Sequence, residues 1–201
     1  MGYPRCVDLP GFRIDWTTPH GALTALEPRL DDVAHHVGAL AAAYNDPHNA
    51  PLLGHTEPLA ESDVLDHYAS LLGRGAHPFL LFSDGVLAGD GDLRNLDHGA
   101  AEFAFLIAAP AAQGKGLGTR FAIMIHAFAF TQLALDRVYA SIVPANTASR
   151  RVFEKLGYTL DTSEAARAFA DEPEDVVMSI AREAFLHQHA DPMAQLRIAM
   201  R

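Results

Sequence analysis

The chain contains a single cysteine, Cys6, among its 201 residues. One thiol excludes an internal disulfide and a zinc site built from several thiolates, and it is typical of a reducing compartment, so we predict a cytoplasmic protein. Basic residues are also scarce, since 15 Lys and Arg stand against 25 Asp and Glu, for a formal net charge of -10. We therefore expect no nucleic-acid or membrane partner, and any anion site must be a local feature.

Long apolar runs are missing as well. The most apolar stretches, around 100–112 and 121–130, are interrupted by Glu102 and His126, so neither is typical of a membrane span. The first ten residues carry Pro, Arg and Asp, and we predict no signal peptide. Apolar residues still make up 49% of the chain, which is enough to bury a core and argues against a disordered or fibrous protein. We expect one soluble globular domain.

Turn-forming residues divide the chain into three parts. Residues 1–19 are predicted to be an irregular N-terminal arm, 20–182 a single domain, and 183–201 a tail or peripheral helix. Within the domain, apolar periodicity predicts strands at 21–26, 78–82, 86–93, 101–108, 138–143 and 174–180, and helices at 31–44, 61–72, 118–133 and 146–156. This order of strands and helices indicates an α+β (α/β) fold, in which helices flank a mixed sheet.

A glycine-rich turn, Gln113 to Arg120, joins a predicted strand to the long apolar helix. Its glycines allow consecutive backbone amides to point toward an anion, and the start of the following helix adds roughly half a positive charge. The spacing matches neither a nucleotide-hydrolysing loop nor a complete dinucleotide-binding fingerprint. The pattern therefore favours a diphosphate site of another kind, with a turn that binds no ligand as the alternative.

A second motif, Asn146 to Tyr158, reads NTASRRVFEKLGY. Together with Gln113, Gly116 and Gly118 of the turn, it resembles the GNAT superfamily of acyl-CoA-dependent N-acyltransferases. Ala101-Glu102-Phe103 and Ser149 add a closer resemblance to the branch that acetylates the N-termini of ribosomal proteins, which also contains many enzymes acting on small amines. The resemblance implies a mixed, mostly antiparallel central sheet of six to seven strands, flanked by helices and splayed by a bulge at the cofactor-binding strand.

The resemblance also implies acetyl-CoA (coenzyme A) as the co-substrate. In such enzymes, backbone amides of the splayed strand bind the pantetheine and polarise the thioester carbonyl, while the glycine-rich turn binds the pyrophosphate. The cofactor-binding residues expected on this basis are Phe105, Leu106, Ile107, Gln113, Gly114, Lys115, Gly116, Leu117, Gly118, Thr119, Asn146, Ser149 and Arg151. Lys155 and Arg151 are expected near the adenosine end, with a solvated surface charge as the alternative for each.

The reaction needs a neutral amine, yet an alkylamine at pH 7 is protonated, and its deprotonation costs about 3.4 pKa units or roughly 4.6 kcal/mol. Glu102 is the predicted base, because its apolar neighbours would raise its pKa; a carboxylate that is only solvated or ion-paired is the alternative. Asp90 and Asp92 alternate on the preceding strand, where we expect a solvated face, with side chains that face the acceptor as the alternative. Many family members carry a Tyr acid where this chain has Phe153, so the resemblance assigns Ser149 as the donor to the leaving thiolate, with a helix-capping Ser as the alternative.

The histidines do not predict a metal site. Neither His35-His36 nor His187 and His189 has a third ligand at a recognisable spacing, so we predict no metal, and His126 is expected to be a hydrogen-bonded core residue.

The resulting hypothesis is direct acetyl transfer, within a ternary complex, to a small cationic amine or a peptide N-terminus. The acceptor pocket is expected along residues 31–72, with negative charge from Asp46, Glu57 and Asp63. A homodimer is left open. The alternative, which Phe153 favours slightly, is a non-catalytic acyl-CoA-binding sensor or scaffold.

Overall fold

The computed structural model describes residues 11–19, 21–53, 57–108 and 114–201. In these ranges, nine strands form one sheet in the order β7-β8-β6-β5-β4-β3-β2-β1-β9. The strands are β1 (Phe12–Thr18), β2 (Gly21–Leu26), β3 (His77–Ser83), β4 (Val86–Asp97), β5 (Ala100–Ile107), β6 (Arg137–Ile142), β7 (Thr159–Leu160), β8 (Val176–Ala181) and β9 (Arg197–Met200). The α-helices are α1 (Leu30–Tyr44), α2 (Glu61–Gly73), α3 (Leu117–Thr131), α4 (Thr147–Leu156), α5 (Glu164–Arg167), α6 (Arg182–Gln188) and α7 (Ala190–Met193), with a 3-10 turn at Ala50–Leu53.

All neighbouring strands in this sheet are antiparallel except β5 and β6. The parallel ladder of β5 and β6 covers only three pairs and ends at Glu102 opposite Tyr139. β6 remains paired with β8 as far as Ile142, so beyond Tyr139 it continues with β8 and leaves β5. A gap therefore opens in the middle of the sheet, and the predicted splayed sheet of α+β type is confirmed.

The bulge expected at the cofactor-binding strand lies elsewhere. The register between β4 and β5 runs without a break from Glu102 to Ile107, and its shift lies between Arg94 and Asp97, near the hairpin that joins the two strands. Tight turning at that hairpin, where Asn95 and His98 have positive φ, accounts for its position.

The two faces of the sheet carry different helices. Phe79 and Leu81 of β3 pack in the same cluster as α3, whereas Leu80 between them packs with residues of α1 and α2. This division follows from the alternation of side chains along a strand. Helix α3 is buried almost all round, as its sequence predicts, and the core on its side also contains Phe103. No helix in the described ranges is long and apolar enough to span a bilayer.

The sheet extends further than the predicted six to seven strands, because both ends of the described chain join it. Residues 12–18, predicted to be irregular, form β1, with Ile14 and Trp16 buried and the residues between them more exposed. Within the predicted tail, α6 and α7 are helical, but 197–200 form strand β9 against β1. The short β7 on β8 is the third additional strand. Alternation over so few residues, next to Pro and Gly, is a weak strand signal.

We predict that Gly89→Ala destabilises the fold. A Cβ at Gly89 of β4 would lie 2.1 Å from the backbone oxygen of Leu106, and neither strand can move away without breaking the ladder. The free energy of unfolding should fall by about 1–3 kcal/mol, measured by urea denaturation. Gly73→Ala is the matched control, because nothing lies within 4 Å of its Cβ at the end of α2. Equal stability of the two variants would contradict this prediction.

Candidate active site

Two cavities meet at the gap between β5 and β6. One, of about 310 Å³, lies against β4, α1 and α2; the other, of about 320 Å³, lies against the glycine-rich turn and α4. We call them the acidic cavity and the turn cavity. Both are lined by Leu52, Leu53, Phe105, Leu106, Asn146 and Ser149. A molecule that extends along β5 from the turn would therefore place its end beside the acidic cavity.

The turn cavity offers backbone donors. Its lining includes Gly116, which caps α3 with a φ of 74°, and the first three residues of that helix. The amides in the first turn of a helix have no acceptor within the helix, and the dipole of α3 adds positive charge at the same place. Arg151 and Lys155 of α4 line the cavity as well. These features suit an anion, phosphate above all.

The approach of α3 to β5 depends on Gly118. A Cβ on this residue would lie 3.0 Å from the ring of Phe105, which is tighter than ordinary van der Waals contact. Glycine thus lets the start of the helix lie close to the strand, and the turn cavity begins directly beside β5.

Backbone amides of β5 face the gap. The N–H of Ala108 donates to the carbonyl of Ala88, and alternation along the antiparallel ladder then directs the amide of Leu106 toward β4 as well. The amides of Phe103, Phe105 and Ile107 point to the opposite side, toward β6. The amide of Phe105 is therefore the donor best placed at the junction of the two cavities.

The acidic cavity carries a surplus of negative charge. Five aspartates line it, against one arginine, Arg94, among the described residues. These aspartates are Asp63, Asp90, Asp92, Asp171 and Asp175. A cation is therefore the ligand that this cavity favours.

Asp90 is held by tyrosines from two helices. The hydroxyls of Tyr44 in α1 and Tyr68 in α2 both donate to its Oδ2, the second at 2.7 Å. Burial raises the pKa of Asp90 to about 6, against the opposing effect of the two tyrosine hydrogen bonds. Burial and the charge of Asp90 hold the pKa of both tyrosines above their ordinary range. This cluster joins α1 and α2 to β4.

Asp92 lacks such partners. Its Oδ1 is buried and makes no hydrogen bond to the residues that the structure describes, and the nearest cationic atom, Nε of Arg94, lies 3.9 Å away. Burial raises the pKa of Asp92 to about 7; Arg94 opposes this shift, while Asp90 and Glu102 add to it. Asp92 therefore titrates near neutral pH in a cavity open to a ligand.

Glu102 has a different environment. Its Oε1 accepts from Arg94 at 2.7 Å and its Oε2 from Asn95 at 2.9 Å, and its side chain is 1% exposed. Glu102 is not among the described residues that line either cavity. Burial raises its pKa, with Arg94 acting in the opposite direction. The same guanidinium also donates to Asp171 at 2.7 Å, so Arg94 links β4, β5 and the segment after α5.

Comparison with known proteins decides the family. A profile of the acetyltransferase (GNAT) domain matches residues 28–159, about two thirds of the chain. The chain belongs to the GNAT acetyltransferase family. Spermidine N(1)-acetyltransferase of Escherichia coli K12 is 31% identical over 102 residues, which are 50% of this chain and 53% of the relative. The probable N-acetyltransferase YjcK of Bacillus subtilis is 36% identical over 78 residues, 38% and 43% of the two chains. The chain spans about half the length of these curated relatives.

Solved structures share the GNAT fold at low identity. RimJ of Mycobacterium smegmatis, in complex with CoA-disulfide, superimposes with a TM-score of 0.70 at 20% identity, over 94% of this chain and 97% of its own. Aminoglycoside acetyltransferase AAC(6')-Ib with ribostamycin and coenzyme A gives 0.71 at 20% identity, over 84% and 98%. Spermidine N-acetyltransferase of Vibrio cholerae with CoA and spermine gives 0.66 at 20% identity, over 82% and 98%.

The structure brings most of the expected GNAT cofactor residues together. The turn cavity is lined by Phe105, Leu106, Ile107, Gly114, Gly116, Leu117, Gly118, Thr119, Asn146, Ser149 and Arg151. Lys115 is exposed and does not line this cavity. Gln113 lies outside the described residues. The expected Lys155 lines the cavity, as do His48 and Asn49, which no motif indicated.

Asn146 and Ser149 lie at the junction of the cavities. The Oδ1 of Asn146 accepts from the amide of Ser149 at 3.0 Å and so caps α4, while its Nδ2 donates to the carbonyl of Leu52 at 3.3 Å. Asn146, and not Ser149, is therefore the capping residue. The Oγ of Ser149 makes no hydrogen bond to the described residues and borders both cavities. At the expected Tyr position of a GNAT enzyme, Phe153 is 2% exposed and packs on Phe105.

One expectation about acidic residues is wrong, and one stays a prediction. Asp90 and Asp92 are 6% and 7% exposed, not solvated, because the face of β4 that carries them is covered by α1 and α2. Of the three acids expected in the acceptor pocket, only Asp63 lines the acidic cavity; Asp46 caps its own turn through the amide of His48, and Glu57 is exposed.

The histidine in α3 is a core residue, as predicted. His126 is fully buried and bonds to the carbonyl of Ala122 and the hydroxyl of Tyr158. Burial lowers its pKa to about 3, so it is neutral at pH 7. In the described part of the chain, no three His, Cys, Asp or Glu side chains converge as metal ligands would.

We predict that Asp92→Asn stabilises the protein increasingly as the pH rises. The pKa of Asp92 is about 7 when folded and about 3.8 when unfolded, so ionisation favours the unfolded state between these values. The gain in free energy of unfolding over the wild type should grow from pH 4 to pH 8 by up to about 4 kcal/mol.

Urea denaturation at pH 4, 5.5 and 8 checks this. Asp97→Asn, at the exposed end of the same strand, is the control and should show no such trend. A difference between Asp92→Asn and the wild type that stays constant with pH would contradict a raised pKa.

Proposed function

We propose that this GNAT protein transfers the acetyl group of acetyl-CoA to the amino group of a small cationic amine, by direct attack within a ternary complex. The observation that carries the proposal is the meeting of two unlike cavities, one suited to an anion and one to a cation, beside the splayed β5. The amine attacks the thioester carbon, the C–N bond forms as the C–S bond breaks, and the thiolate takes up a proton.

The turn cavity would hold the coenzyme. The amides at the start of α3 would bind the pyrophosphate, Arg151 and Lys155 would lie near the remaining phosphate or the adenosine, and the pantetheine would follow β5. The amide of Phe105 would then donate to the thioester oxygen, whose negative charge grows in the transition state. Neighbours crystallised with CoA or CoA-disulfide support this arrangement.

The acidic cavity would hold the acceptor. Arg94 is compensated by Glu102 and Asp171, so the charges of Asp90 and Asp92 remain to attract a cation. The relatives named spermidine acetyltransferases support a small amine as the acceptor. A peptide N-terminus, expected from the resemblance to the ribosomal-protein branch, is the second candidate, and RimJ among the structural neighbours favours it.

Ser149 would donate to the departing thiolate. Its Oγ borders both cavities, so it lies where the thioester would lie, and Phe153 has no proton to give. Catalysis would depend mainly on positioning and on the β5 amide, with the proton of the amine removed by a carboxylate.

A thiol-release assay with a panel of acceptors tests the activity. We expect acetyl-CoA turnover with diamines and polyamines, slower turnover with peptides, and none with amino acids whose carboxylate would enter the acidic cavity. If calorimetry detects CoA binding but no amine yields free thiol, the protein is a sensor or scaffold and the proposed activity is wrong.

The coenzyme site is tested by Gly116→Val. A β-branched side chain at a φ of 74° strains the turn and covers the amides at the start of α3, so the affinity for CoA should fall by at least about 10-fold, as measured by calorimetry. Gly85→Val is the matched control, because Gly85 has a φ of 79° and the same open surroundings in the β3–β4 hairpin. Unchanged affinity in Gly116→Val would contradict the phosphate site.

A further inference from the structure

We propose that Asp92 is the general base of the reaction, which takes the proton from the acceptor ammonium group. The inference rests on the proposed function and names a catalytic residue for it. Asp92 lines the acidic cavity, and its Oδ1 has no hydrogen-bond partner among the described residues.

The register of the sheet places this carboxylate beside the point of attack. Asp92 lies directly opposite Ala104, the residue before Phe105, whose amide faces the gap. Opposed residues in an antiparallel pair have their Cβ atoms about 4.5–5.5 Å apart, and both side chains here are on the acidic-cavity face. Since Ala104 is small, it leaves space between Asp92 and the thioester for the nitrogen of an amine.

The other carboxylates near the site accept at least one hydrogen bond. Glu102 accepts hydrogen bonds on both oxygens and does not line the acidic cavity. Asp90 shares with Asp92 an Oδ1 that has no partner among the described residues, but its Oδ2 accepts from two tyrosine hydroxyls, which lower the basicity of this carboxylate toward a substrate proton. Asp171 accepts from Arg94 and Asp175 from the hydroxyl of Ser141, at 2.7 Å in each case. Asp92 is the one carboxylate of this group without a hydrogen bond from a described residue.

The charged groups around Asp92 tune it for this role. Asp90 on its own strand, Glu102 on β5 and Asp171 disfavour its ionisation, and Arg94 favours it. Together with burial they hold its pKa at about 7, near the pH at which a base both is ionised and accepts a proton readily. Glu102 and Arg94 thereby act as positioning residues for Asp92.

The protons balance in this scheme. One passes from the ammonium nitrogen to the carboxylate of Asp92, and the nitrogen lone pair then forms the C–N bond as the C–S bond breaks. The second nitrogen proton neutralises the departing thiolate through the hydroxyl of Ser149. Asp92 later returns its proton to water, so the products are the acetamide, the CoA thiol and one proton.

The test compares Asp92→Asn, Glu102→Gln and Asp97→Asn with the wild type, using the best amine from the thiol-release panel. Asp92→Asn should lower kcat by at least about 100-fold with KM changed much less, since general bases contribute 10²–10⁴-fold. The fall of kcat/KM below about pH 7, where Asp92 becomes protonated, should be absent in this variant. Glu102→Gln should keep that limb but shift it to lower pH, because Glu102 disfavours the ionisation of Asp92. Asp97→Asn should match the wild type.

A weakly basic amine that is neutral at pH 7 gives a second readout. Because no proton must leave it before attack, the kcat defect of Asp92→Asn should shrink by at least about 10-fold relative to the strongly basic amine. If Asp92 only bound the cation, Asp92→Asn would instead raise KM and leave kcat and its pH dependence close to those of the wild type, which would overturn the proposal.

The remaining outcomes separate this inference from the proposed function. Loss of the acidic limb in Glu102→Gln alone would make Glu102 the base and exclude Asp92. If the wild type binds CoA but acetylates no amine, the proposed function is wrong, and so is the proposal that Asp92 is the general base. If the wild type is active and the Asp92→Asn variant has the same kcat and pH profile, the proposed function stands and only the role of Asp92 as the base is wrong.

Discussion

The early end of pairing between β5 and β6 is the constraint on which the site depends. Three parallel pairs hold the strands together up to Glu102 and Tyr139, and the antiparallel pairing of β6 with β8 then continues alone. Backbone amides that a complete sheet would use internally are thereby turned toward a gap. Both cavities open on that gap, so one departure from regular pairing exposes backbone donors where the two cavities meet.

The acidic cavity depends on a second constraint, the burial of charge on β4. Two aspartates on one face of a strand would normally be solvated, since burial without compensation is unfavourable. Tyr44 and Tyr68 donate to Asp90, whereas among the described residues Asp92 has only Arg94 at 3.9 Å, and burial raises its pKa against the effect of this arginine. Burial of Asp92 thus lowers the stability of the folded protein at neutral pH, a pattern that is common at functional sites.

The parts of the site that depend on short segments of the chain could be predicted from the sequence. The glycine-rich turn, the cap at Asn146 and the buried helix α3 are encoded within short segments, and the structure has all of them apart from Gln113, which lies outside the described residues. The environment of Asp90 was not predictable in this way, because its partners Tyr44 and Tyr68 lie 46 and 22 residues away and no motif joins them. Strand β9 likewise depends on pairing with β1, which lies at the other end of the described chain.

The side chain of Asn146 connects the start of α4 to the segment that contains Leu52. Its one amide group both caps α4 and holds the carbonyl of Leu52 on the far side of the junction. The passage between the cavities cannot widen at this point without releasing one of these bonds, and loss of a helix cap costs about 1 kcal/mol. The width of this passage is therefore coupled to the order of the first turn of α4, so that a displacement of Leu52 would also loosen the start of the helix.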